Sequence, residues 1–287
     1  MLKNLPGFIC RYRIYSPVMR LILPFITYVP DINQLKRETK IVVSLSAEEE
    51  SFDSLEYTLY SIFNQKVKPD NIVLWISDKY ELSDLPYSVT KFVKNGLDIR
   101  FVEDKASYTK IIYALNEFKD SIIVTADENI YYPKSWLSKL YMSYILNPND
   151  IHVHTAAIMS ERPDKTAPLC EWNKFANTEK AGYKYFPVQT GGVLYPPNCF
   201  AGEVSREDIY KKKINTTWDI WSWVMALLAD RKIRIVKNHI CRFVSTNIII
   251  SYKKYDNIIK TQKSANEQLA LLFRLYGNNI NRKLNQK

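Results

Sequence analysis

From Lys40 onward, short β-branched runs alternate with longer stretches whose apolar residues recur at helical spacing. Ile41-Val42-Val43-Ser44-Leu45 is apolar enough for a strand covered on both faces, and the acidic loop Glu48-Glu49-Glu50 follows it. Over 51–65, Phe52, Leu55, Leu59, Ile62 and Phe63 lie three, four and seven residues apart, which predicts an amphipathic helix. Lys68-Pro69-Asp70 then turns the chain into a second strand, Ile72-Val73-Leu74-Trp75-Ile76. A third strand is expected at 99–102, a helix over 108–118, and a fourth strand at 122–125 that ends in Ala126-Asp127-Glu128-Asn129. Such alternation predicts an α/β fold: one domain with a mostly parallel central sheet flanked by helices.

After Pro133 the periodicity predicts a helix over 135–146, an extended segment at 151–154, a helix over 218–228, a strand at 233–236 and a closing helix over 266–276. The intervening stretch 160–200 carries Pro163, Pro168, Pro187, Pro196 and Pro197, so loops are expected there to shape a pocket. His152 and His154 alternate on one strand face; with no third ligand nearby they read as packing residues.

Composition and charge narrow the function classes. With 287 residues, 46% of them hydrophobic, the chain can bury a large core, which excludes a disordered or fibrous protein. Its seven glycines form neither G-x-G-x-x-G nor G-x-x-x-x-G-K-[ST], so a dinucleotide fingerprint and a phosphate loop are both absent. Cys10, Cys170, Cys199 and Cys241 make no C-x-x-C pair, which argues against a zinc ribbon or disulfide framework and for a reduced, cytoplasmic setting. The net charge of +10 belongs to the ends: residues 1–40 carry seven Lys/Arg against two Asp/Glu, and residues 252–287 carry eight against two. A near-neutral body with basic ends fits an anionic membrane surface better than nucleic acid, solvated charge being the alternative. The sequence therefore divides into a basic aromatic arm (1–39), a domain (40–277) and a basic tail (278–287). The arm's aromatic and basic mixture suits either a lipid interface or packing on the domain. Its apolar stretch 21–29 is far shorter than the roughly 20 residues of a membrane span, and it lacks the small-residue cleavage site of a signal peptide.

Asp127 stands at the carboxyl end of a buried strand, where open α/β sheets place their ligands. In extended backbone Asn129 points to the same side, and two oxygens at that spacing suit Mg²⁺ or Mn²⁺. Gly191-Gly192 permits close backbone approach by a ligand or forms a turn, and Tyr195 and Trp221 are aromatic rings that follow it in chain order.

Several segments, in this order, resemble the inverting nucleotide-sugar glycosyltransferases of the GT-A fold, above all bacterial enzymes that build surface polysaccharide or lipopolysaccharide. They are Ile41-Val42-Val43-Ser44-Leu45, Leu59-Tyr60-Ser61-Ile62-Phe63-Asn64-Gln65, Lys68 to Trp75, Thr125 to Pro133, Gly191 to Pro197, Asp219-Ile220-Trp221 and Asn266-Glu267-Gln268-Leu269. The resemblance runs from about Lys40 to Gly277. It implies a nucleoside-diphosphate sugar as donor, a glycan or lipid-linked acceptor, a divalent cation, and no nucleic acid. It places Ser44, Asp78, Lys110, Asp127, Asn129, Gly191 and Gly192 in the donor site, sets Tyr195 and Trp221 to stack on acceptor or sugar, gives Asp127, Asn129 and His239 to the metal, and makes Asp219 the general base. Two departures stand out: Asn129 replaces the family's second aspartate, and Trp218 stands where relatives often carry another acid. They keep open a catalytically weakened binding protein as a second reading. A nucleic-acid-binding α/β protein is a third, suggested by net charge alone.

Overall fold

The computed structural model describes residues 28–162, 165–166, 173–174, 179–213, 217–240 and 243–285 together with Leu21, with no side chains described at 161–162, 165–166, 173–174, 212–213 and 248–264. Most of the basic arm and part of the proline-rich stretch, including 163–164 and 167–172, lie outside the described residues.

The four early strands form where the apolar runs predicted them: β1 (Ile41–Ser46), β2 (Asn71–Ser77), β3 (Leu97–Val102) and β4 (Ile122–Thr125). Strand β1 pairs in parallel with β2 on one side and β4 on the other, and β2 pairs in parallel with β3. The chain thus builds outward from β1 to β3 and then returns to the far side of β1, so the order reverses between β1 and β4. The helices that make these parallel connections are α1 (Phe52–Phe63) before β2 and α2 (Thr109–Glu117) before β4.

Strands β5 (Ile130–Tyr131), β6 (Ile151–Val153), β7 (Ala156–Ile158), β8 (Ala181–Gly182), β9 (Tyr185–Pro187) and β10 (Val193–Tyr195) follow, with α3 (Trp136–Leu146) between β5 and β6. Helix α4 (Trp218–Leu228), β11 (Ile233–Ile235), β12 (Val244–Ser245) and α5 (Ile248–Leu284) complete the chain. The main sheet has the order β8-β11-β6-β10-β4-β1-β2-β3. It is mostly parallel, and β10 enters it antiparallel to both β4 and β6.

Alternation along β1 sorts the core into two layers. Ile41, Val43 and Leu45 face α1 and α3, while Val42 faces α2, α4 and α5; all four are fully buried. At about 1.5–3 kcal/mol per buried aliphatic side chain, such strands are defined by having both faces covered. The closing helix is longer than the periodicity over 266–276 predicted. It runs on to Leu284 because Ile280 and Leu284 continue the apolar face that Leu269 and Leu272 begin, so most of the expected tail belongs to the helix.

The described part of the arm is tied to the amino-terminal edge of the sheet. Asn33 Nδ2 donates to Asp70 Oδ1 (2.5 Å), Arg37 forms an ion pair with the same carboxylate, and Ile41 N–H donates to its other oxygen (2.7 Å). The Arg37 guanidinium also lies 5.3 Å from the Tyr141 ring centroid. No helix among the described residues is long and apolar enough to cross a membrane.

Candidate active site

The carboxyl ends of β1 and β4 meet where the strand order reverses, which in open α/β sheets is the crevice that receives ligands. Two charges sit there. Lys110, in the first turn of α2, places Nζ 2.5 Å from Asp127 Oδ1 and 3.3 Å from the Ala126 carbonyl. Both side chains are mostly covered, at 12% and 16% exposure. Helix α2 is held for this by Ser44, whose hydroxyl donates to the Lys110 carbonyl and accepts from Trp75 Nε1 (2.8 Å). Ser44 is itself fully buried, so it acts as a clamp on the backbone of Lys110, not on the edge of a base or ribose as the sequence suggested.

The segment that follows β4 is fastened at each residue. Asp127 N–H donates to Tyr132 Oη (2.8 Å), Thr58 Oγ1 donates to the Glu128 carbonyl (2.7 Å), and Thr246 N–H donates to the Asn129 carbonyl (2.8 Å). Burial, together with the neighbouring Asp127 charge, raises the Tyr132 phenol well above its ordinary range, so it stays a neutral partner. These bonds turn Asn129 inward: it is 3% exposed, its Nδ2 donates to Glu128 Oε1 (2.7 Å), and its Oδ1 lies 3.4 Å from Ser54 Oγ.

That arrangement does not suit the divalent cation implied by the sequence. Asn129 Oδ1 accepts from Ser54 Oγ (3.4 Å), and among the described residues no three His, Cys, Asp or Glu side chains converge on a common point. His239 directly precedes Ile240, whose N–H donates to His154 Nδ1 (3.2 Å). A cation on Asp127 would also stand within a few ångströms of the Lys110 ammonium. At an effective dielectric of about 20, repulsion between the two amounts to several kcal/mol.

Asp219 lies in the first turn of α4 and is partly buried. The start of that helix is bonded to the turn that begins α2, since Trp218 N–H donates to Ser107 Oγ (3.1 Å) three residues before Lys110. It is also bonded to α5, because Thr217 N–H donates to Gln268 Oε1 (3.1 Å). Trp218 Nε1 and Gln189 Nε2 each donate to Tyr195 Oη (3.1 Å). Burial foremost, with the Asp219 charge adding to it, pushes the Tyr195 phenol up. Asp219 and Lys110 therefore open the amino-terminal turns of two helices that share one hydrogen bond. Nothing local to Gln268 or Trp218 in the sequence signals these positioning roles, because their partners lie 51 and 111 residues away.

Other expected residues fall elsewhere. Tyr195 and Trp221 are core residues, 1% and 0% exposed, and Trp221 Nε1 donates to the Val204 carbonyl (2.9 Å), so neither presents a ring to a sugar. Gly191 and Gly192 are buried too: Gly192 has φ +75°, and a Cβ there would stand 2.6 Å from the Trp136 ring, whose Nε1 donates to the Gly191 carbonyl (2.7 Å). Gly192 makes room for the Trp136 indole, and a Cβ at Gly191 would stand 3.0 Å from the Phe243 ring. Asp78 is exposed just past β2, its N–H donating to the Val102 carbonyl (2.8 Å). Beside it opens a groove of about 780 Å³, lined by Glu49, Phe52, Asp53, Lys79, Tyr80 and neighbouring residues, in which Tyr80 Oη donates to Glu49 Oε2 (2.8 Å). His152 and His154 pack as expected: Ile240 N–H donates to His154 Nδ1, leaving Nε2 to donate to the Trp136 carbonyl.

No family model and no curated protein sequence matches this chain. Among solved structures it is similar to a mannosyltransferase from Pyrobaculum calidifontis in complex with GDP-Man and Mn²⁺, with a TM-score of 0.56 and 11% identity over 97% of this chain and 78% of that one. Weaker likenesses are to a 4-diphosphocytidyl-2C-methyl-D-erythritol synthase (TM-score 0.47, 12% identity, 78% of this chain and 100% of that one) and to the inositol-1-phosphate CTP transferase of T. maritima (0.43, 11%, 80% and 98%). The fold is GT-A-like.

Proposed function

We propose that the chain transfers a sugar from a nucleoside-diphosphate donor to a glycan or lipid-linked acceptor, with inversion. The observation that carries the reading is the Lys110–Asp127 pair at the β1/β4 reversal, with an acid at the start of the helix bonded to the same turn. The fold shared with a mannosyltransferase and the sequence resemblance support it.

In the reaction, the bond from the anomeric carbon to the diphosphate oxygen breaks and its electron pair leaves with the nucleotide. The acceptor oxygen attacks from the opposite face, and its proton passes to the Asp219 carboxylate. Lys110 meets the diphosphate with its ammonium, Asp127 keeps that ammonium in place, and Ser44 and Trp75 fix the helix that carries it. The basic ends of the chain, +5 over 1–40 and +6 over 252–287, favour an anionic membrane surface as the site of work.

The test is a thermal-shift panel of uridine, guanosine, cytidine and thymidine diphosphate sugars. A cognate donor at 100 times its Kd should stabilise the native protein by about 2.7 kcal/mol. No shift with any of them would refute the reading.

A further inference from the structure

The residues implied for a metal do not make a metal site, yet a diphosphate leaving group requires positive charge. We infer that the Lys110 ammonium takes the place of the divalent cation, so that the chain binds its donor diphosphate without metal. This rests on the transferase reading above.

Three observations converge on Lys110. Its ammonium donates to Asp127 Oδ1 (2.5 Å), so it already covers the carboxylate oxygen that a cation would have to approach. Its backbone carbonyl is fixed by the buried Ser44 hydroxyl, and Ser44 is in turn held by the Trp75 indole, so the helical turn behind the ammonium is rigid. The second oxygen of a metal pair is missing for a structural reason: Asn129 is buried, bonded through Nδ2 to Glu128 and close to Ser54, while its carbonyl is taken by Thr246.

The change from a second aspartate to Asn129 then has a physical sense. The Lys110 ammonium offsets the Asp127 charge, which leaves Glu128, bonded to Asn129 Nδ2, as the further carboxylate of this segment. A third carboxylate at position 129 would add negative charge and repel an approaching diphosphate. An ammonium also offers three donors, so Lys110 can keep Asp127 and the Ala126 carbonyl and still give one hydrogen to a phosphate oxygen.

The probe is inorganic pyrophosphate, titrated calorimetrically into the full chain in excess EDTA and again in millimolar Mg²⁺. The wild type should bind with dissociation constants that agree within about twofold. Lys110→Met should weaken binding at least tenfold in EDTA, and Lys110→Arg, which keeps the charge, should stay within a few-fold of wild type. Melting temperatures confirm that each variant is folded, and Lys110→Arg keeps the test decisive if Lys110→Met is not. Binding that requires Mg²⁺, or that survives Lys110→Met in EDTA, would overturn the lysine assignment and leave the transferase reading standing. Absence of binding in both media would overturn both.

Discussion

Ser44 does its work through a single hydroxyl that serves two partners. Replacing it with alanine leaves the Trp75 indole N–H buried without an acceptor and frees the Lys110 carbonyl. An orphaned buried donor costs about 1–3 kcal/mol, so Ser44→Ala should lose that much in urea unfolding and also bind pyrophosphate less tightly. A ligand-edge role would weaken binding with stability unchanged. At Gly192 the expectation is purely structural: with φ at +75° and Trp136 in the space of a Cβ, Gly192→Ala should destabilise by about 1–3 kcal/mol or more. If Gly192→Ala unfolds at wild-type urea concentrations but loses donor affinity, the glycine belongs to the ligand after all. For Asp219, the asparagine variant keeps size and removes the proton acceptor. Transfer should fall about 10²-fold or more with donor binding nearly unchanged, which single-turnover kinetics and titration separate.

At the scale of elements, strand β6 and its extension carry a pH dependence. Burial lowers His152 and His154 from 6.5 to about 3, so both stay neutral in the fold while the unfolded chain protonates them near 6.5. The unfolded state therefore binds more protons below that value, and stability present above pH 6.5 is lost as pH falls toward 3. Between pH 7.5 and 5.5 the loss should be about 1.4 kcal/mol per histidine. Urea midpoints unchanged over this interval would show that the rings are accessible to protons in the native state. Legibility also differs by element. Strand 122–125 and helix 218–228 could be bounded from sequence because their apolar periodicity is local and complete. Strand β10 could not, since three residues carry no period and its place between β4 and β6 is fixed by partners tens of residues away. The site follows the same rule. Asp127 and Lys110 were each legible as charges, but the ion pair depends on Ser44 gripping a helix 66 residues later, and the inward turn of Asn129 involves Ser54 and Thr246 on either side.

For the whole molecule, charge and the arm decide the experiment. Residues 29–37 are bonded to the sheet through Asn95, Pro69 and Asp70, so a truncation that tests membrane attachment should remove residues 1–27 and leave that strap in place. The shortened protein should bind vesicles of anionic phospholipid less than the full chain, most clearly at low salt. Equal binding would move the attachment to the other basic end. The central claim, that the β1/β4 edge breaks a sugar–diphosphate bond, is tested by following the nucleotide product. Incubated with the nucleoside-diphosphate sugar that stabilises it and a sugar acceptor, the chain should release the nucleoside diphosphate and form a glycoside of inverted anomeric configuration, both resolved by NMR. Release of pyrophosphate from a nucleoside triphosphate and a sugar phosphate, with the diphosphate sugar left intact, would contradict the account.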